Sequence, residues 1–432
     1  MSTNTSLTLG EKLKQVRKAK GLSQENIAYA ADSHTSVISR IESGQVHPPP
    51  ELLAAIRKCL DIVHAPLFDH ETELFIQRMQ LWETMLDTNR LADARDMMPG
   101  LAAILSLPYE HNLIFGFMMQ ETRLLLKENK FDEAEENILL AEPLLDHASN
   151  ETLITYHCNK AYLFTYKGEY KAAFKYYQRA LELFGGKPPH ARILEQITHV
   201  SLLLEKWHHA IQYAQHARIL YEGDRTNPRG GYLTGYLATS YLATMEYGKA
   251  EVLFEKSYNE AMLTGDDLSV GIALINMAEI NTKRGNFDKA KEHFDLGLKK
   301  MLPSVLSEII PFMKNIYVMA SFSMALAKTK MGKDNSDIIA AARPYANGNE
   351  TLQTVLDAAQ YLTKLGDPVA EKYIETVAIP HLMQCTGQEK SLRLVLCREL
   401  EAHYKKKKAK TKANNMAALI RDIYEEMFMG EG

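Results

Sequence analysis

A chain of 432 residues with 46% hydrophobic and 24% charged residues is composed like a folded protein but is too long for one ordinary core, so several domains or a repeat array are expected. No run approaches the roughly 18–20 apolar residues of a membrane span. The polar start through Thr8 lacks a signal-peptide core, and Cys59, Cys158, Cys385 and Cys397 have neither metal nor disulfide spacing. These features argue against membrane, exported and cysteine-stapled classes, and the expected location is the cytoplasm with reduced thiols. The net charge of −4 is divided unequally: residues 1–60 hold eight Lys/Arg against five Asp/Glu, a surplus of +3 that leaves −7 for the remainder. A small basic module on an acidic scaffold suits a polyanion reader whose scaffold stays off the polyanion.

In chain order, Thr8-Leu9-Gly10-Glu11 is a capping box that opens a helix with Leu9, Leu13 and Val16 on one face and Gly21 at its end. Residues 22–44, LSQENIAYAADSHTSVISRIESG, have the layout of a helix-turn-helix. Ser23 can cap a helix from Gln24 to about Ala31, a turn at Asp32–Ser33 follows, and a second helix runs from about Thr35 to Ser43 with Gly44 ending it. Ala28 is small where the helices must cross, and Ile27, Ile38 and Ile41 form the apolar wedge. Thr35, Ser36, Ser39 and Arg40 are left exposed, short or polar, and suited to base edges and phosphates. After the stiff segment Gln45–Pro50, a helix with Leu52, Leu53, Ile56 and Leu60 inward closes the module near Ile62. The expected divisions are residues 1–63 for this module, a linker at 64–72, a repeat domain at 73–390 and capping or dimerisation helices at 391–432.

The repeat domain shows an aromatic or Leu, a small residue three positions on, then apolar or small residues four and seven beyond that. The pattern recurs at Leu91/Ala94/Met98/Leu101, Phe131/Ala134/Ile138/Ala141, Tyr170/Ala173/Tyr177/Ala180, Trp207/Ala210/Ala214/Ala217, Tyr247/Ala250/Phe254/Ser257 and Phe287/Ala290/Phe294/Gly297. Asn89, Asn129, Gly168 and Gly285 stand two places before a leading residue, where a turn between paired helices belongs. The period of about 40 exceeds the usual ~34, but the pattern resembles the tetratricopeptide repeat, most clearly in residues 159–184. That resemblance implies an all-α right-handed superhelical solenoid behind the helix-turn-helix module. Beyond Met301 the pattern degrades, with Pro303, Pro311, Pro344, Pro368 and Pro380 as punctuation and the lysine-rich run Lys405–Lys412 interrupting the tail helices.

Residues 8–62 resemble Cro/C1-type repressor domains. The resemblance implies that Ser23, Gln24, Thr35, Ser36, Ser39 and Arg40 form the DNA-facing set, with Gln24 supporting phosphate and base contacts. Asp32 departs from the family's usual Gly, and Asp tolerates a left-handed turn. A tetratricopeptide array binds along the first helix of each pair. Its expected groove residues here are Arg123, Asn159, Tyr162, Tyr166, Arg192, Glu195, His199, Tyr232, Tyr236, Thr239, Asn276 and Glu279. An Asn amide can pair with both backbone groups of an extended peptide, and Tyr adds apolar area with a polar tip. The lysine run reads more economically as a solvated turn, and His208–His209 as helix surface, since no further ligand stands at metal spacing. No phosphate loop, HExxH, nucleophile elbow or carboxylate pair is evident, so neither an enzyme nor a cofactor is expected.

The layout as a whole resembles the Rap/Rgg/NprR/PlcR/PrgX (RRNPP) peptide-pheromone receptors of Gram-positive bacteria, NprR-like members most closely, and is similar to the phage arbitrium receptors. The resemblance implies a cytoplasmic quorum-sensing regulator, dimeric or a higher oligomer. Its partners would be an operator duplex and a re-imported peptide of about five to ten residues held in the concave groove. Two alternatives from other classes stand beside it. One is a Rap-like regulator that sequesters a response regulator or phosphotransferase; the other is a repressor controlled by a partner protein.

Overall fold

Thr8 opens the first helix as its composition requires. The Thr8 hydroxyl accepts from the Glu11 amide at 3.4 Å, while the Glu11 carboxylate accepts from the Thr8 amide at 2.8 Å. In this computed structural model, which describes residues 7–222, 230–306, 313–385 and 391–429, every regular element is a helix. Two compact units divide the chain, residues 1–187 and 188–432.

The first unit begins with a four-helix module: α1 (Leu9–Ala19), α2 (Gln24–Ala30), α3 (Thr35–Glu42) and α4 (Pro50–Cys59). Ser23 and Asn26 form a second capping box at the start of α2. Asp32 takes the left-handed conformation (φ 47°) that the turn between α2 and α3 demands, and the Ser33 amide donates back to the Ala28 carbonyl at 2.8 Å. Leu13, Val16, Ile27, Ala28, Ile38, Ile41, Ile56, Leu60 and Ile62 are the buried core, as the apolar spacing predicts. A Cβ on Gly10 would lie 2.2 Å from the Ile41 carbonyl oxygen, so α1 reaches α3 only because position 10 has no side chain.

Helix pairs follow. In the first unit they are α5 (Asp69–Asp87) with α6 (Leu91–Leu101), α7 (His111–Lys127) with α8 (Phe131–Ala141), and α9 (Asn150–Tyr166) with α10 (Tyr170–Glu182). In the second they are α11 (Ala191–Leu203) with α12 (Trp207–Glu222), α13 (Gly230–Ala243) with α14 (Tyr247–Thr264), and α15 (Asp267–Lys283) with α16 (Phe287–Leu306). Each leading residue of the sequence repeat is the first residue of the second helix in its pair. The small residue three places on (Ala94, Ala134, Ala173, Ala210, Ala250 or Ala290) is fully buried at the crossing in all six pairs. The residue two places before the leading one has positive φ in all six as well: Asn89, Asn129, Gly168, Glu205, Met245 and Gly285. The turn geometry is therefore invariant even where Glu and Met, which gave no signal, must adopt it.

The second unit continues with α17 (Met313–Lys330), α18 (Ser336–Ala346), α19 (Glu350–Leu362), α20 (Pro368–Tyr373), α21 (Ile379–Gln384), α22 (Leu392–Lys406) and α23 (Lys410–Met429). Pro303 and Pro344 lie inside α16 and α18, Pro368 opens α20, Pro380 sits in the first turn of α21, and Pro311 lies outside the described residues. The lysine run spans the end of α22, the turn at 407–409 and the start of α23, with Lys408 at φ 60°.

Helices α15 and α16 cross on two glycines. A Cβ on Gly297 would stand 3.0 Å from the Gly271 carbonyl oxygen and 2.9 Å from Ile275 Cγ1, and one on Gly271 would stand 2.8 Å from the Gly297 carbonyl oxygen. Gly297→Ala is expected to cost about 1–3 kcal/mol by overpacking this crossing. Met245→Gly, which removes a left-handed side chain worth about 1–2 kcal/mol of strain against roughly 1 kcal/mol of added chain entropy, should be neutral or mildly stabilising. Thermal unfolding of the two variants beside the unaltered protein checks both directions.

Candidate functional site

Helix α3 buries Ile38, Ile41 and the side chain of Glu42, and this orientation turns Thr35, Ser36, Ser39 and Arg40 outward, all four exposed. What fixes the orientation is a buried charge. The Glu42 carboxylate accepts two hydrogen bonds from Arg17 of α1, Nε to Oε1 at 2.6 Å and Nη2 to Oε2 at 2.9 Å, and a third from Gln24 Nε2 of α2 at 2.8 Å. Arg17 also donates to the Leu22 carbonyl at 2.7 Å. Burial pushes the Glu42 carboxyl up, but the Arg17 and Gln24 hydrogen bonds outweigh it and hold the group below the usual carboxylate range. One carboxylate thus ties three helices together, and the bidentate fork sets the angle at which α3 projects.

The expected DNA-facing residues accordingly fall into two kinds. Thr35, Ser36, Ser39 and Arg40 form an open row. Ser23 is exposed but occupied in the cap of α2, and Gln24 is half-buried with its amide nitrogen held by Glu42. The Arg17–Glu42 pair was missed by pattern reading, because charged residues in an amphipathic helix are assigned to the solvent face. Its only signal was an acid directly after the buried Ile41. Lys14, Lys18 and Lys58 are further exposed cations on the module, and Tyr29 of α2 is 92% exposed.

The expected peptide-facing residues all lie on the first helices of pairs: α7, α9, α11, α13 and α15. Several link one first helix to the next. Arg123 of α7 pairs with Asp87 and, at 3.8 Å, with Glu83 of α5. The Asn159 side chain is only 4% exposed, and its amide donates to the Met119 carbonyl of α7 at 2.8 Å. That bond makes Asn159 a helix-packing group in this structure. Tyr162 and Tyr166 are exposed, the latter stacked on Phe131.

In the second unit His199 stacks on Tyr236 with ring centroids 5.3 Å apart, and burial pulls the imidazole down to about 4, so it is neutral. Glu195 accepts from Tyr221 at 2.6 Å, Arg192 is half-buried, and Thr239 donates to its own helix at Gly235. Asn276 donates to Ile272 of its own helix, which leaves its carbonyl oxygen for other use. Glu279 accepts from Ser323 of α17 at 3.2 Å, and burial pushes its carboxyl up against the opposing Lys283. The Tyr232 side chain lies outside the described residues.

Three lysines of the 405–412 run pair with acids of their own or a neighbouring helix: Lys405 with Glu401 at 2.7 Å, Lys407 with Glu371 at 2.6 Å and Lys412 with Glu375 at 3.3 Å. No group of three or more His, Cys, Asp or Glu residues could hold a metal ion among the described residues, and none of the described helices is long and apolar enough to cross a membrane.

With this geometry in hand, three comparisons bear on the chain. The pattern of the helix-turn-helix domain family matches residues 8–73. Control protein C.BamHI of Bacillus amyloliquefaciens is 34% identical over 73 residues, which is 17% of this chain and 90% of that protein. Among solved structures, the apo form of the quorum sensor NprR from B. thuringiensis superposes with a TM-score of 0.64 at 17% identity over 82% of this chain and all of that one. NprR in complex with its cognate peptide NprX gives 0.56 at 17%, over 75% and 97%. A Rap protein complexed with Competence and Sporulation Factor gives 0.68 at 13%, over 82% and 99%. At such identities the likeness establishes the fold, an all-helical repeat array behind a helix-turn-helix module, and NprR and Rap are members of the group the layout resembles.

The buried carboxylate makes a pH statement. Because the folded pKa of Glu42 lies below its ordinary 4.5, its contribution to stability is complete above that value and is lost as pH falls through the depressed one. Glu42→Gln should cost roughly 3 kcal/mol at neutral pH by stranding Arg17. It should also flatten the acid limb of a stability-against-pH curve, measured by denaturant unfolding between neutrality and the acid range.

Proposed function

Through residues 8–73 the chain belongs to the helix-turn-helix domain family, and we propose that it is a transcriptional regulator whose repeat array senses a short signalling peptide. The family and fold are those of regulatory and receptor proteins. The observation that carries the reading is the open row Thr35, Ser36, Ser39 and Arg40, held at a fixed angle by the Glu42 carboxylate, in one chain with an array that has the fold of NprR and Rap.

In this reading the start of α3 enters the major groove. Arg40 supplies a forked donor for a guanine edge or a phosphate, and the hydroxyls of Ser36 and Ser39 accept or donate at base edges. Ser23 and Gln24 stand at the start of α2, where helix amides and side chains meet the phosphate backbone. Short hydroxyl side chains leave much of the sequence choice to duplex shape. A surplus of +3 on residues 1–60 gives one module weak affinity, so two modules in a homodimer, on half-sites at a set helical phase, make the operator complex.

The peptide, five to ten residues long, contacts the first helices of the pairs. Its backbone pairs with side-chain amides such as Asn276, and its apolar side chains lie on Tyr162, Tyr166 and Tyr236. Arg123, Arg192, His199, Tyr232 and Glu279 are proposed to line the same helices. Asn159 acts from behind by holding α9 on α7. The switch requires a coupling free energy of about 1–3 kcal/mol between peptide and operator.

The first test selects operator duplexes from a random pool with the purified protein and measures their affinity at fixed salt. Arg40→Ala should weaken the selected duplex by about 1–3 kcal/mol, roughly 5- to 150-fold, with relaxed preference at one base position. If Ser36→Ala and Arg40→Ala bind as the unaltered protein does, the DNA reading fails. Calorimetric titration with synthetic C-terminal fragments of small exported peptides encoded beside the gene tests the sensor. Asn276→Ala and Tyr236→Ala should weaken the peptide tenfold or more without loss of helicity, and an unaltered affinity would remove those residues from the site.

A further inference from the structure

The nine residues between α4 and α5 do not read structurally as a free tether. Ile62, Ala65 and Leu67 are each no more than 2% exposed, and a single hydrophobic cluster runs from Leu13 of the helix-turn-helix module to Leu124 of α7. The backbone of Leu67 is held at both of its polar groups. Its carbonyl accepts from Lys12 Nζ of α1 at 2.8 Å, with the Lys12 side chain buried, and its amide donates to Glu71 at 2.8 Å. Glu71 is the hub. It caps the start of α5 by also accepting from the Phe68 amide at 3.2 Å, and both of its oxygens accept from Arg57 Nη2 of α4 at 2.7 Å. The Arg57 guanidinium lies 5.8 Å over the Phe68 ring, and Phe68 stacks with His47 and His70.

A free linker exposes its backbone to water and leaves the joined bodies to tumble separately. This one commits a buried lysine, an arginine–glutamate pair and a helix cap to immobility, so module and first helix pair move as one body.

We propose that Lys12, Arg57 and Glu71 are positioning residues that weld the DNA-reading module to α5, so that the array acts on DNA by reorienting the module rigidly rather than by releasing or sequestering it on a tether. The inference rests on the proposed function and concerns how its two halves communicate. Arg57→Met removes the contact between bodies while leaving the Glu71 cap of α5 in place, and Lys12→Met releases the Leu67 carbonyl. The double variant carries no substitution on the α3 row or on the peptide-facing helices.

The test uses the full chain with a fluorescent amino acid at the exposed Tyr29 and follows time-resolved anisotropy, with circular dichroism to verify folding. The unaltered protein should show only the slow tumbling of the large body. The double variant should add a fast component, together with faster hydrogen exchange across residues 61–69. Operator affinity is then measured with and without saturating peptide. The ratio of the two affinities should fall toward one in the double variant, although each ligand still binds by itself. A fast component already present in the unaltered protein overturns the weld, as does an unaltered ratio in a variant shown to tumble freely. If the unaltered protein's operator affinity answers to no peptide, the sensor reading fails instead, and the anisotropy still decides whether the module is welded. Should the double variant not fold, Arg57→Met alone carries the same comparison.

Discussion

Two helices can approach only as closely as the smallest residue between them permits, and the array depends on that constraint. Ala94, Ala134, Ala173, Ala210, Ala250 and Ala290 are all fully buried at a crossing, and the Gly271–Gly297 contact takes the same logic to its limit. A close crossing commits the turn that precedes it, and the six left-handed residues from Asn89 to Gly285 are the consequence. A pair built this way has one apolar face left for its neighbour. Its first helix is then free to carry polar and aromatic side chains such as Tyr162, Tyr166 and Asn276.

The helix-turn-helix module solves the opposite problem, holding one short helix rigid on a small core. Apolar contacts alone would let eight residues of α3 rock. A buried carboxylate that must keep Arg17 and Gln24 satisfied has a single acceptable geometry, because each lost hydrogen bond would leave a charge uncompensated out of water. In the proposed function, rigidity at α3 and at residues 60–68 serves one end. A reader that turns with its scaffold converts small angles in a helical array into displacement at DNA, where half-site phase is set to within a few ångströms by the duplex.

Much of this was legible in the residues, for physical reasons. Capping boxes at Thr8 and Ser23, the 3.6-residue period of Leu13, Val16, Ile38 and Ile41, and the small residue repeating about every 40 positions are local consequences of helix geometry, so a sequence displays them directly. Asp32 takes the left-handed turn expected of it. Glu205 and Met245 do so without announcing it, since tertiary packing around the turn overrides their preference. The Arg17–Glu42 and Arg57–Glu71 pairs were illegible because a charge joins a core only when a partner arrives from another element, which no local pattern records. Packing of Ala65 and Leu67 was hidden in the same way beside His64 and Pro66. Asn159, chosen for its peptide-binding chemistry, uses that chemistry on the Met119 carbonyl of a neighbouring helix.

The central claim is that peptide and operator are linked through one folded chain, and linkage is reciprocal. The most direct measurement is the affinity of the protein for its peptide, titrated in the absence of DNA and again in the presence of saturating operator duplex. The account predicts that operator shifts peptide affinity by the same factor, and in the same sense, as peptide shifts operator affinity. Peptide binding that is tight yet indifferent to operator would contradict it, and would leave a DNA reader and a peptide receptor that share a chain without sharing a switch.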